Sequence, residues 1–173
     1  MLHDKYRVRH IGIQDDNFNP QKKRTIEICK GIIERGLELT IRADSGGYAG
    51  NIDEETLHWL KKAGFKELYF GVESGNQIVL EKVINKKLDL RKVKSIVQIS
   101  KTIGISPGGY FMVGVPGETK KTMGDTVRFA ATSGFDRVRL YICQPFPESR
   151  MYEDCKKNGW LSKDFEPKKS VDI

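Results

Sequence analysis

A chain of 173 residues with 38% hydrophobic and 31% charged residues is long enough for one domain with a real core, and its composition excludes a disordered polymer. The net charge of +7 and pI near 9.3 permit binding to an anion or a nucleic acid. The basic residues are scattered, however, in "QKKR" (21–24), "KK" (61–62), "NKKLDLRKVK" (85–94) and "KK" (156–157), and read as solvated helix faces rather than a nucleic-acid stripe.

In chain order, "RVRHIGI" (7–13) predicts a first strand, followed by "DDNFNP" and a helix from Pro20 to about Arg35. Asn19 is the expected N-cap, Pro20 takes the first helical position and Gly36 ends the helix. "LELTIRA" (37–43) alternates as a second strand, and Asp53 then caps a helix that stops at Gly64. "ELYFGV" (67–72) is the third strand, with a short helix expected around 76–83. Asp89 caps the next helix, which ends at Gly104. "YFMVGV" (110–115) is the fourth strand and far too short to span a bilayer. Thr119 caps a helix ending at Gly134, and "RVRLYIC" (137–143) is the fifth strand. A turn at "QPFPES" leads to a last short helix holding Met151, Tyr152 and Cys155. Residues 162–173 read as a loose, polar, lysine-rich tail, which leaves residues 1–161 as one domain.

Strand alternating with helix, in units of about 30 residues, implies an α/β fold with a parallel sheet covered on both faces. Either a doubly wound open sheet or part of a β/α barrel fits. In both, ligands bind at the carboxyl ends of the strands. Those ends carry Asp15, Asp16 and Asn17, then Arg42 and Asp44, then Glu73 and Ser74. The last two bring "GVPGET" with Gly114, Pro116, Gly117 and Glu118, and finally Tyr141, Gln144 and Pro145. Taken singly each has an ordinary structural role, such as a turn, a surface pair or a helix cap. Taken together on one rim they point to a site. No nucleotide-phosphate glycine loop and no hydrolase nucleophile elbow is present. Cys29, Cys143 and Cys155, with His3, His10 and His58, lack metal-ligand spacing, so no metal site is expected from this chain. The charged N-terminus has no apolar signal region, and reduced thiols fit a cytoplasmic protein.

The ordered set "IQDDNFN", "RAD", "FGVESG", "FMVGVPGET" and "QPFPESRMYEDCKKNGWL" resembles the core of radical S-adenosylmethionine enzymes. The resemblance runs to the branch with an upstream cobalamin-binding domain, which includes methyltransferases and the anaerobic cyclase of chlorophyll synthesis. It implies a partial barrel holding about five of the usual six parallel strands, with S-adenosylmethionine across the strand tips. Under this resemblance Glu73, with Ser74, faces the ribose. Arg42 and Asp44 face the methionine carboxylate or amine, and Asp15 and Asp16 the methionyl amine. Gly114, Pro116 and Glu118 belong to a segment that offers backbone to the cofactor.

The family's defining C-x-x-x-C-x-x-C, whose thiolates hold a 4Fe–4S cluster, does not occur in this sequence. The expectation is therefore a core fragment that lacks the cluster-binding first β/α unit, inactive alone and without a catalytic residue of its own. Its partners would be that unit or a cobalamin-binding domain. It would also self-associate along an exposed first strand. The competing readings are a non-catalytic module that binds a nucleotide-like ligand or a protein at the same rim, and part of an RNA-modifying enzyme.

Overall fold

Five strands, β1 (His10–Ile13), β2 (Thr40–Gly47), β3 (Phe65–Glu73), β4 (Ser106–Val113) and β5 (Arg137–Ile142), form one sheet in sequence order. Every neighbouring pair is parallel. This computed structural model describes residues 2–162 and Phe165; most of the tail read at 162–173 lies outside the described residues. The helices are α1 (Leu2–Tyr6), α2 (Lys22–Glu34), α3 (Glu54–Lys62), α4 (Leu90–Thr102), α5 (Lys120–Thr132) and α6 (Arg150–Lys157). Of the two architectures that the strand–helix alternation leaves open, the fold is the partial β/α barrel that the family resemblance implies. Among the described residues, no helix is long and apolar enough to cross a membrane.

Only one face of the sheet is covered by helices, which corrects the expectation of strands buried on both sides. Ile41, Ala43, Leu68, Phe70, Val72 and Phe111 pack into a single core with Leu57 and Leu60 of α3, Val93, Ile96 and Val97 of α4, and Phe129 of α5. Their alternates in the strands are Arg42, Glu67, Tyr69, Tyr110, Arg137, Arg139 and Tyr141. These side chains contact one another across the opposite, concave face. Period-2 alternation is what separates the two sets. Each fully buried Leu, Ile, Val or Phe of the core contributes roughly 1.5–3 kcal/mol. On β5 all six residues are exposed, including Val138 and Leu140 on the helix side.

The helix signals at Asp53, Asp89 and Thr119 hold, and each side chain accepts from a backbone N–H of the first turn. Three boundaries move. Helix α2 starts at Lys22 rather than Pro20, because Asn19 is fully buried and clamps another loop instead of capping. Strand β2 starts at Thr40 because Leu37 N–H still bonds back to Ile32 of α2. Strand β4 starts at Ser106, through a Pro-Gly-Gly run that reads as a turn. Gly108 fits there because the Tyr69 ring fills its side-chain space, 2.3 Å from where a Cβ would lie. The short helix near 76–83 is a π-helical turn, Val79–Val83.

Asp53 ties α3 to α2, since its carboxylate accepts from Thr56 N at 2.9 Å and from Lys22 Nζ at 2.6 Å. Burial pushes this carboxyl up, but the Lys22 and Thr56 hydrogen bonds outweigh it and hold the group at about 2. A folded-state value below the ordinary carboxylate value of 3.8 stabilises fully at higher pH and loses its effect as pH falls towards 2. Asp53→Asn keeps the cap and is expected to flatten the stability profile between about pH 4 and pH 2. Asp53→Ala is expected to lose about 1 kcal/mol at neutral pH. Urea unfolding across pH checks both.

Candidate functional site

The strand tips are shaped by two irregularities. Between Ala43 and Gly47 the β2 backbone bulges while β3 advances only from Leu68 to Phe70. This throws Asp44, Ser45 and Gly46 towards the rim. At the end of β3 the pairing slips between Gly71 and Glu73, and Glu73 takes a left-handed φ of 72°. A left-handed non-glycine residue is held there only by its surroundings. Here Lys86 Nζ grips both the Gly71 carbonyl at 2.6 Å and Glu73 Oε1 at 3.1 Å.

These features open a cleft of about 390 Å³ at the carboxyl ends of the strands, within the range of small-molecule sites. Asp16 and Asn17 after β1, Ser45 to Tyr48 around the end of β2, and Gly71, Glu73 and Lys86 line it, with Tyr110 and Tyr141. The β1 and β2 loops are locked together by Asn19. Its amide donates to the Tyr48 carbonyl at 2.9 Å and accepts from Tyr48 N–H at 2.8 Å. Gly47 must be small here, since a Cβ would lie 2.6 Å from the Phe18 ring and 2.7 Å from Asn19 Oδ1. The Tyr110 hydroxyl donates to the Asp44 carbonyl and fixes the wall.

The residues expected at the rim divide. Asp16 and Glu73 meet in the cleft. Asp15 turns outward to a small pocket with Phe18 and Arg24 on the helix side. Arg42 lies on the concave face, paired with Glu67 at 3.3 Å and Asp44 at 3.7 Å. Asp44 Oδ1 is buried without a hydrogen-bond partner in the structure. Ser74 is fully buried, and its hydroxyl meets Thr126 of α5 at 2.9 Å and accepts from Asn76 N–H at 3.1 Å. That side chain stitches the strand end to α5 and does not reach the cleft. Glu118 closes its own loop, with Oε2 accepting from Gly114 N–H at 2.8 Å and Val115 N–H at 3.0 Å. Pro116 faces a separate groove with Lys82, Asn85 and Met151. Glu73 nonetheless ends β3 and Glu118 follows β4, at the same end of the parallel sheet, as a shared rim requires.

Lys86, Tyr48 and Tyr110 are cleft residues that the sequence pattern does not reveal. "NKK" reads as a surface run, and only the turn after Val83 swings Lys86 back over β3. A signal did exist in Asn85, whose left-handed φ of 57° marks a sharp turn of a kind asparagine tolerates.

The fold is a partial β/α barrel with an open cleft at its strand tips. Residues 1–130 match the Radical SAM superfamily, and the chain belongs to that family. It is 30% identical over 161 residues to an uncharacterized methyltransferase of Pyrococcus horikoshii, covering 93% of this chain and 34% of that protein. It is 26% identical over 166 residues to cytidylyl-2-hydroxyethylphosphonate methyltransferase of Streptomyces wedmorensis, covering 92% and 31%. The chain thus spans about a third of the length of these relatives. Its fold is shared with the radical S-adenosylmethionine methyltransferase TsrM of Kitasatospora setae, solved with cobalamin and a 4Fe–4S cluster. The TM-score is 0.78 at 16% identity, over 88% of this chain and 29% of that one. The fold is shared as well with the cobalamin-dependent S-adenosylmethionine radical enzyme OxsB, at a TM-score of 0.60 and 17% identity over 91% of this chain and 24% of that one.

The three cysteines do not fit a cluster site. Cys29 is fully buried in the core, and burial pushes its thiol up to about 11. Cys143 and Cys155 lie at the end of β5 and on α6, and burial raises the Cys143 thiol as well. Among the described residues no group of three or more His, Cys, Asp or Glu could hold a metal ion.

Proposed function

We propose that this chain supplies the S-adenosylmethionine-binding strands of a radical S-adenosylmethionine enzyme of the methyltransferase and cyclase type. In this reading the cluster-binding cysteines lie outside these residues. The single observation that carries the reading is the cleft, which Asp16, the Glu73–Lys86 pair and two tyrosine rings line together.

That donor set matches the cofactor by charge. S-adenosylmethionine carries a sulfonium, an ammonium and a carboxylate, and when bound it supplies a methyl group or a cleavable carbon–sulfur bond. Asp16 and Glu73 would hold the cationic or hydroxyl groups, and Lys86 the carboxylate. Tyr110 and Tyr141 would offer ring faces to the sulfonium or the adenine. The glycines at 46, 47 and 71 let a ligand approach the backbone. Asp44 Oδ1, buried and unpartnered, is a ready acceptor at the edge of the same rim. Glu118 acts indirectly, by holding the Gly114 loop closed.

The two free edges, β1 and β5, are where a further β/α unit would pair, or a second copy of the chain. Because the sheet runs in sequence order, a first β/α unit would pair with β1, which leaves β5, exposed along its whole length, for a second copy. Cobalamin, which is bound in the TsrM structure, would come here with a further domain.

Anaerobic reconstitution of this chain with iron and sulfide tests the reading. The expected result is no cluster absorbance and no cleavage of S-adenosylmethionine under a strong reductant. Both should appear when a segment carrying the three-cysteine motif is supplied. A stable cluster on these residues alone would contradict it.

A further inference from the structure

Four cations stand on the concave face and at its rim: Arg42, Lys86, Arg137 and Arg139. Three of them are neutralised. Arg42 and Arg137 share Glu67 at 3.3 and 2.5 Å, Arg42 also faces Asp44, and Lys86 holds Glu73. Arg139 has no carboxylate partner among the described residues. Its guanidinium instead lies 5.8 Å from the Tyr69 ring centroid and 5.7 Å from that of Tyr110.

The platform beneath it is built. Tyr69 and Tyr110 pack at 5.3 Å, and Tyr110 and Tyr141 at 6.2 Å. Gly108 leaves room for the Tyr69 ring. A guanidinium held at cation–π distance from two rings, with no carboxylate partner, has donors available for two-point contact with an anion. Arg139 pairs in register with Tyr110, and Tyr141 follows it towards the rim on the same strand face. Both tyrosines also wall the cleft, so the free guanidinium edge adjoins the cofactor site without lining it.

We propose that Arg139 is the substrate-recognition residue of this barrel, and that the substrate presents a carboxylate or phospho group to it beside the cleft. The inference rests on the cofactor reading above for what occupies the cleft. It assigns a separate role to a residue outside that lining.

The test is NMR of the Arg139 Nε–Hε signal in the full chain, titrated with inorganic phosphate and separately with malonate. Sodium chloride at equal ionic strength is the control. A saturable shift with phosphate or malonate, absent with chloride, is expected, and the tighter of the two names the anion class. In the variants the response is read at the neighbouring Leu140 and Tyr141 backbone amides, and Arg139→Gln should abolish the anion-induced shifts seen there in the unaltered chain. Arg139→Lys, which keeps charge but loses the fork, should weaken the response about tenfold. Shifts of the Gly71 and Glu73 amides caused by S-adenosylmethionine should be the same in Arg139→Gln as in the unaltered chain. The proposal is overturned if no saturable shift occurs, or if Arg139→Gln weakens S-adenosylmethionine as much as it weakens the anion. If the unaltered chain responds to the anion but not to S-adenosylmethionine, the cofactor reading fails and the anion site stands.

Discussion

Gly64→Ala is expected to lower stability by about 4 kcal/mol and the melting temperature by roughly 10 °C. Gly64 joins α3 to β3 with φ of 97°, and a Cβ there would lie 2.0 Å from the Leu39 carbonyl oxygen and 3.0 Å from its carbon. Both atoms are backbone, so no side chain can swing away. The left-handed conformation adds about 1–2 kcal/mol for any residue with a Cβ. The Gly64 carbonyl also accepts from Ile41 N–H at 2.9 Å, so a shift large enough to relieve the clash breaks the junction of β2 with β3. Gly124→Ala is the control. It lies in α5 with nothing within 4 Å of the added Cβ and is expected to raise stability by about 0.5–1 kcal/mol. Thermal unfolding of both variants decides the point, and an unchanged midpoint for Gly64→Ala would show that the two backbones are not in contact.

Glu73→Gln is expected to weaken S-adenosylmethionine binding about tenfold or more, the loss of one hydrogen bond to a charged group. The change keeps the size of the side chain and removes its charge. It also leaves Lys86 without its carboxylate at 3.1 Å, so the geometry at Gly71 loosens as well. Lys86→Met should weaken binding by a similar factor, with the loss traced to the cofactor's carboxylate. Calorimetric titration of each variant gives the ratio. An affinity in Glu73→Gln equal to that of the unaltered chain would remove Glu73 from the site.

The strands and most helices were legible in the sequence because their signals are local. Asp53, Asp89 and Thr119 each cap within their own first turn. The rim was legible too, since strand ends follow from strand positions. What was not legible depended on contacts between distant residues. Asn19 has every local mark of an N-cap, yet Tyr48, 29 residues away, claims its side chain. Ser74 sits beside Glu73 in sequence, but the left-handed turn sends its hydroxyl to Thr126, 52 residues away. Glu118 looks like a free rim carboxylate, yet its Oε2 is claimed by its own loop. Lys86 looks like solvated surface and is drawn in by Glu73 and the Gly71 carbonyl. The two faces of the sheet were misjudged for a related reason. Tyr69 and Tyr110 count as apolar in a run, whereas in space they form the floor under Arg139.

The most direct measurement is a map of backbone amide shifts as S-adenosylmethionine is added to the isotopically labelled chain. Binding at the strand tips predicts the largest changes at Asp16, Gly46, Gly47, Gly71, Glu73 and Lys86, with β1 and β4 residues far from the rim unmoved. Changes concentrated on the helix face, or none at saturating ligand, would contradict it.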